Sequence, residues 1–283
     1  MPERALVLGS GGITGIAWEL GMLAGLAEQG VDLRDADLVV GTSAGSVVGA
    51  LITSGDELED LYASQLAPPA LEPPVRMGIG TMVRWGWAVA CSRGSQQVGV
   101  RVGRMALATA TVPEAERRGV IAARLKARTW PAQTLLVTAV DAESGEFAAF
   151  GQGSQVGGTA VSLVDAVAAS CSVPGVWPPT TIGGRRWIDG GVRSATNADL
   201  AAGYDRVVVL APVTRGFRPA TGAAAHVAAL RKRARVMLIT PDADARRAIG
   251  RNVLDLSRRA PAAQAGRDQA TSATAEVARV WSD

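Results

Sequence analysis

Apolar, mostly β-branched residues gather in short runs at residues 5–8, 38–40, 134–140, 207–210 and 236–239, with helix-like stretches between them. Runs of this length alternating with helical segments predict a mostly parallel sheet covered by helices on both faces, a three-layer α/β/α sandwich. Glycines follow the first two runs directly, as "GSGG" after Leu8 and "GTSAG" after Val40. Both glycine turns are therefore expected at the carboxyl ends of strands on one edge of the sheet, where α/β folds carry their chemistry.

Two stretches depart from this alternation. Residues 66–113 open on prolines and then bring Met77, Met82, Trp85 and Trp87 among few acidic residues. The segment reads as an insertion or cap over the sheet edge, or else as packed core behind an irregular connection. Residues 242–281 are rich in alanine and arginine at helical spacing and predict two helices that close the fold. There is no internal repeat, and residues 1–283 are expected to form a single domain.

Composition narrows the function classes. With 48% hydrophobic and 19% charged residues the chain can bury a full core. The net charge of +3 comes almost wholly from arginine, Lys126 and Lys232 being the lysines, and no basic block suggests a nucleic-acid partner. No apolar run approaches the ~20 residues of a membrane-spanning helix. The first residues, with Glu3 and early glycines, lack the layout of a signal peptide. Two cysteines, Cys91 and Cys171, fit a reducing compartment and are expected as solitary buried thiols. A cytoplasmic protein without metal or cofactor is the expectation.

The candidate chemistry lies in the glycine turns. Gly41-Thr42-Ser43-Ala44-Gly45 matches G-x-S-x-G between a strand and a helix, the pattern that places a serine on a tight, strained turn. A serine hydroxyl needs a base within hydrogen-bond reach. His226, the one histidine, lies in an alanine-rich helical stretch, and the order Ser43, an aspartate, His226 is that of an α/β-hydrolase triad. Against this, one strand precedes Ser43, whereas that fold places several before its nucleophile. The other candidate is Asp189, which follows Trp187-Ile188 and precedes Gly190-Gly191. Its carboxylate would stand at a strand end, where burial raises its basicity, although Asp-Gly also commonly marks a hairpin turn.

Four pieces in order, Gly9 to Gly15, Gly41 to Gly45, "ASCSVPGVWPP" from Ala169, and Asp189-Gly190-Gly191, resemble the patatin-like phospholipase family. The resemblance implies a Ser43–Asp189 dyad working without histidine. It also implies an oxyanion hole formed by the N–H groups of Gly11 and Gly12, with Ile13 adding a third. Unpaired N–H groups at a helix start favour negative charge on independent physical grounds. The implied activity is hydrolysis of carboxylic esters of lipids: phospholipids, lysophospholipids or acylglycerols. Met77, Met82, Trp85, Trp87 and Trp177 are the expected substrate-binding residues, and a membrane surface is an expected peripheral partner. Thr14 departs from the family, which usually has arginine or lysine there. An inactive or weakly active lipid-binding protein is therefore one alternative, and a nucleotide-binding protein using Gly9 and Gly11 is another.

Overall fold

The structure, a computed structural model, describes residues 3–68, 79–214, 216 and 219–282, except for the side chains of residues 79, 81, 82 and 219. In chain order the elements are β1 (Arg4–Leu8), α1 (Gly12–Glu28), β2 (Leu38–Gly41), α2 (Ala44–Ile52) and α3 (Leu58–Leu66), then α4 (Ile79–Ala90), α5 (Ser95–Leu107) and α6 (Glu114–Arg124). There follow β3 (Thr134–Asp141), β4 (Phe147–Phe150), β5 (Gln155–Val156), β6 (Thr159–Ala160), α7 (Leu163–Ser170), β7 (Thr180–Ile182) and β8 (Arg185–Asp189). The chain closes with β9 (Arg206–Leu210), α8 (Ala223–Leu230), β10 (Arg235–Ile239), α9 (Ala243–Ile249) and α10 (Arg259–Trp281). Each of the five apolar runs forms a strand, and the two expected closing helices are α9 and α10.

The main sheet has the order β10-β9-β1-β2-β3-β8-β7, with β4 also paired to β3. β10, β9, β1, β2 and β3 are mutually parallel, whereas β8, β7 and β4 run antiparallel to their neighbours. From β1 the chain passes to β2 on one side and later returns to β9 on the other. The resulting crevice beyond the carboxyl end of β1 is the position where open α/β sheets bind ligands.

Side chains alternate along the strands and feed two cores. Leu6, Leu8 and Val39 pack with residues of α1, α2, α7 and α10, while Ala5, Val7 and Val40 pack with Val227 of α8. This burial on both faces explains why the strands are almost uniformly apolar. A third cluster sets Ala88 of α4 and Val98 and Val102 of α5 on Val140, Ile188 and Val192. Those two helices therefore sit beside the turn that follows β8.

α1 and α10 touch backbone to backbone. A Cβ on Gly21 would lie 2.0 Å from the carbonyl oxygen of Ala263, and one on Gly266 would lie 2.3 Å from that of Trp18. Only glycine permits this approach. Trp18 is fully buried, and its indole N–H donates to Gln269 of α10 at 3.0 Å.

One register detail positions the site. Val137 of β3 pairs with both Gly41 and Phe150, and Ala139 pairs with both Asp189 and Ala148. A strand has two edges, so β4 occupies one and β2 and β8 share the other. β2 and β8 run toward each other along that edge and end at Gly41 and Asp189. Thr138 lies in the gap between them.

Cys91 differs from expectation. It follows the last residue of α4 and is exposed, whereas Cys171 is buried. The helix buries Ala88 inward and carries its next turn past the packed edge.

Candidate active site

Ser43 lies between β2 and α2 with φ 53° and ψ −112°. A non-glycine residue there is strained and must be held by its surroundings. Its N–H donates to Oγ of Ser170 at 2.9 Å, and its carbonyl accepts from Oγ of Ser46 at 2.6 Å and Sγ of Cys171 at 3.4 Å. Gly45 lets α2 start hard against β1, since a Cβ there would lie 2.1 Å from the carbonyl oxygen of Leu8. Its N–H donates to the Gly9 carbonyl at 3.0 Å, joining the two glycine turns.

Asp189 ends β8 and is 6% exposed. The Gly191 N–H donates to its Oδ1 at 2.7 Å, and the Ser43 side chain is near enough to favour the charged carboxylate. Burial pushes the carboxyl up to about 6, while Ser43 and the Gly191 N–H pull the other way. At neutral pH the group is mostly ionised yet a far better proton acceptor than a free aspartate. The Asp-Gly pair makes no hairpin; a 3₁₀ turn, Gly190–Val192, follows it. Gly190 is required by contact, because a Cβ there would lie 2.2 Å from Oγ1 of Thr138.

Across from this pair is the start of α1. Among the described residues, the N–H groups of Gly11, Gly12 and Ile13 donate to no backbone partner, while that of Thr14 reaches the Val253 carbonyl at 3.1 Å. Thr14 is fully buried, and its hydroxyl also donates to Val253, at 3.3 Å. This position anchors the helix start and presents no charge.

Gly11, Gly12, Ser43 and Asp189 border one cavity of about 320 Å³, whose walls include Trp85, Val173, Val192, Val253 and Leu254. Ile13 and Trp177 line a narrower space that also borders Ser43. Trp87 is 67% exposed and points to the outer flank of α4, with Val83. Met77 and the side chain of Met82 lie outside the described residues. His226 lines none of these spaces: its Nδ1 is 3.3 Å from Asp199, and burial holds it below its ordinary pKa. No group of three or more His, Cys, Asp or Glu able to hold a metal occurs among the described residues.

A buried polar cluster behind the pair escaped the sequence reading. Oγ1 of Thr138 donates to Oγ1 of Thr42 at 2.9 Å. The amide nitrogen of Asn197 lies within 3.3 Å of Thr42, Thr138, the Gly190 carbonyl and the Ser194 carbonyl. Asn197 adopts a left-handed conformation, φ 48°, and Arg193 donates to its Oδ1 at 2.7 Å. The single sequence signal was an asparagine eight residues beyond Asp189, tolerant of left-handed backbone.

Residues 6–202 match the family described as patatin-like phospholipase, which is more than half of the chain. The chain belongs to the patatin-like phospholipase family. The matched segment of this patatin-like protein carries the serine turn, the aspartate turn, the start of α1 and Asn197, and it ends before α8, α9 and α10. Among curated proteins none matches it in sequence. Two solved structures are similar over 98% of the patatin-like chain. VipD from Legionella pneumophila shares 12% identity with a TM-score of 0.49, 67% of that chain being covered. The type III effector protein ExoU shares 16% with a TM-score of 0.44, 53% of that chain being covered. No described helix of this patatin-like protein is long and apolar enough to cross a membrane.

Proposed function

We propose that this protein is a serine acyl hydrolase that cleaves carboxylic esters of lipids with Ser43 as nucleophile and Asp189 as base. The observation that carries the reading is the placement of Ser43, on a strained strand-to-helix turn, in one cavity with the buried carboxyl of Asp189. Family membership supplies the lipid substrate class.

In this reading Oγ of Ser43 attacks the ester carbonyl carbon as its proton passes to Asp189. The carbonyl oxygen becomes an oxyanion and takes hydrogen bonds from the N–H groups of Gly11, Gly12 and Ile13, at the positive end of α1. As the tetrahedral species collapses, the alcohol leaves with the proton held by Asp189, and Ser43 remains acylated. Water then attacks the acyl carbon and gives a proton to Asp189. Fatty acid departs as Ser43 recovers its hydrogen. The apolar cavity beside Trp85 receives the acyl chain. Val83 and Trp87, both largely exposed on α4, meet the lipid surface from which substrate is drawn.

The test is labelling by a fluorophosphonate, which reacts only with an activated serine, together with turnover of p-nitrophenyl esters of increasing chain length. Labelling that persists in Ser43→Ala, or absence of both labelling and turnover in the wild-type protein, overturns the reading.

A further inference from the structure

Glu19 lies in the middle of α1, and its side chain is fully buried. Oε1 accepts from the Gly9 N–H at 2.8 Å, while Oε2 has no hydrogen-bond partner among the described residues. Burial raises this carboxyl well above the ordinary range, against the pull of the Gly9 N–H. At neutral pH the group is therefore a carboxylic acid, not a carboxylate.

Packing alone gives no reason for such a residue. The Gly9 N–H also donates to the Leu210 carbonyl at 3.0 Å, so it keeps a partner even without Glu19. An apolar side chain of similar length would fill the same space and leave no oxygen orphaned.

Gly9 is where the pieces of the site are joined. Its carbonyl accepts from the Gly45 N–H of the serine turn at 3.0 Å. The next residue, Ser10, donates through its N–H to the Ala195 carbonyl at 2.7 Å and accepts from the Val213 N–H at 3.2 Å. Beyond Ser10 come Gly11 and Gly12, whose N–H groups have no backbone partner among the described residues. Glu19 follows Gly12 by seven residues, two helical turns, and so lies on the same side of α1. Its bond to Gly9 thus runs from the helix back to the end of β1 and closes the glycine turn into a ring. A slide or rotation of α1 that re-aimed the N–H groups of Gly12 and Ile13 would break that bond.

We propose that Glu19 is a positioning residue for the oxyanion hole: through Gly9 it fixes the glycine turn and the start of α1, so that their free N–H groups converge on the ester oxygen beside Ser43. This rests on the hydrolase reading and deepens it. Donors of this kind work by being held in place before charge develops, and small displacements weaken them.

The test compares Glu19→Gln, which keeps a neutral acceptor at the same reach, with Glu19→Met, which keeps the length and removes the acceptor. Hydrolysis of p-nitrophenyl butyrate and inhibition by a decyl trifluoromethyl ketone, whose adduct with serine carries an oxyanion, are measured below the melting temperature. Glu19→Gln should stay within about twofold of the wild type in both. Glu19→Met should lose about tenfold in kcat with KM unchanged, weaken the ketone by the same factor, and melt no lower than the wild type. Should Glu19→Met not fold, Glu19→Asp, which withdraws the acceptor by one methylene, carries the same expectation for kcat and the ketone. Wild-type kcat in the folded Met or Asp variant overturns the proposal. So does a Gln variant that falls as far as the Met variant, a loss carried by KM, or a loss of turnover that leaves ketone affinity untouched. A failed hydrolase reading appears separately, as wild-type protein without labelling or turnover.

Discussion

The side-chain amide of Asn197 donates to Oγ1 of Thr42 at 3.1 Å, tying the loop beyond Asp189 to the residue before Ser43. Thr42, Thr138 and Asn197 are all fully buried, so their side-chain polar atoms depend on one another, on Arg193 and on nearby backbone carbonyls. Asn197→Ala strips partners from two hydroxyls and two carbonyls and removes a residue suited to a left-handed backbone. We expect a stability loss of about 3 kcal/mol by urea denaturation. Turnover should fall as well, because the cluster spans the gap in which the ends of β2 and β8 meet. Full activity in a destabilised Asn197→Ala protein would confine the cluster to a packing role.

The strain at Ser43 makes a second expectation. Both Ser43→Ala and Ser43→Gly should lose ester hydrolysis and fluorophosphonate labelling. Glycine adopts φ 53° without steric cost, so the glycine variant should be the more stable of the two by ~1 kcal/mol. Thermal melting of the pair reads this difference, and an alanine variant equal to or above glycine contradicts a strained turn.

For Asp189, activity and stability should move in opposite directions. The carboxylate form is the base, so the hydrolysis rate should climb as pH rises through about 6. Folding raises this carboxyl above its unfolded value, so its favourable contribution to stability is complete at low pH and is lost as pH rises through about 6. Asp189→Asn is neutral at every pH. It should lose about a thousandfold in kcat and yet exceed the wild type in stability by ~3 kcal/mol at pH 8, with the gap closing near pH 4. A stability difference independent of pH would show that the carboxyl is not perturbed by burial.

The two tryptophans of α4 should separate by substrate. Trp85 borders the apolar cavity, so Trp85→Ala should impair long-chain esters more than short-chain ones, by about tenfold. Trp87 is exposed on the outer flank, so Trp87→Ala should leave soluble short-chain esters untouched and slow hydrolysis on lipid vesicles several-fold, about fivefold. Equal effects of the two substitutions on every substrate would mean that both act through packing.

Much of this was legible in sequence because it is local. The apolar runs of β1, β2, β3, β9 and β10 are buried on both faces, which writes them as uninterrupted β-branched stretches. The glycines around Ser43 mark a turn whose sterics involve near neighbours and one adjacent strand. What escaped depends on long-range register. Nothing near Asp189 says that β8 runs into the end of β2, since that follows from both strands sharing one edge of β3. Arg117 lies in a helix of mixed charges, and nothing in that local pattern says that it stacks on Trp177. Trp85 and Trp87, only two positions apart, looked alike as a pair, yet the helix turns them to different surroundings.

The backbone contact between α1 and α10 has a consequence in time. α1 is synthesised long before α10, so its glycine face waits uncovered on the growing chain while the rest of the sheet assembles. Contacts between segments so distant in sequence form late, because a long loop must close before they are gained. α1 is backed by α10 at Trp18, Gly21 and Gly25. On the ribosome, the packing behind α1 thus stays incomplete until α10 has emerged.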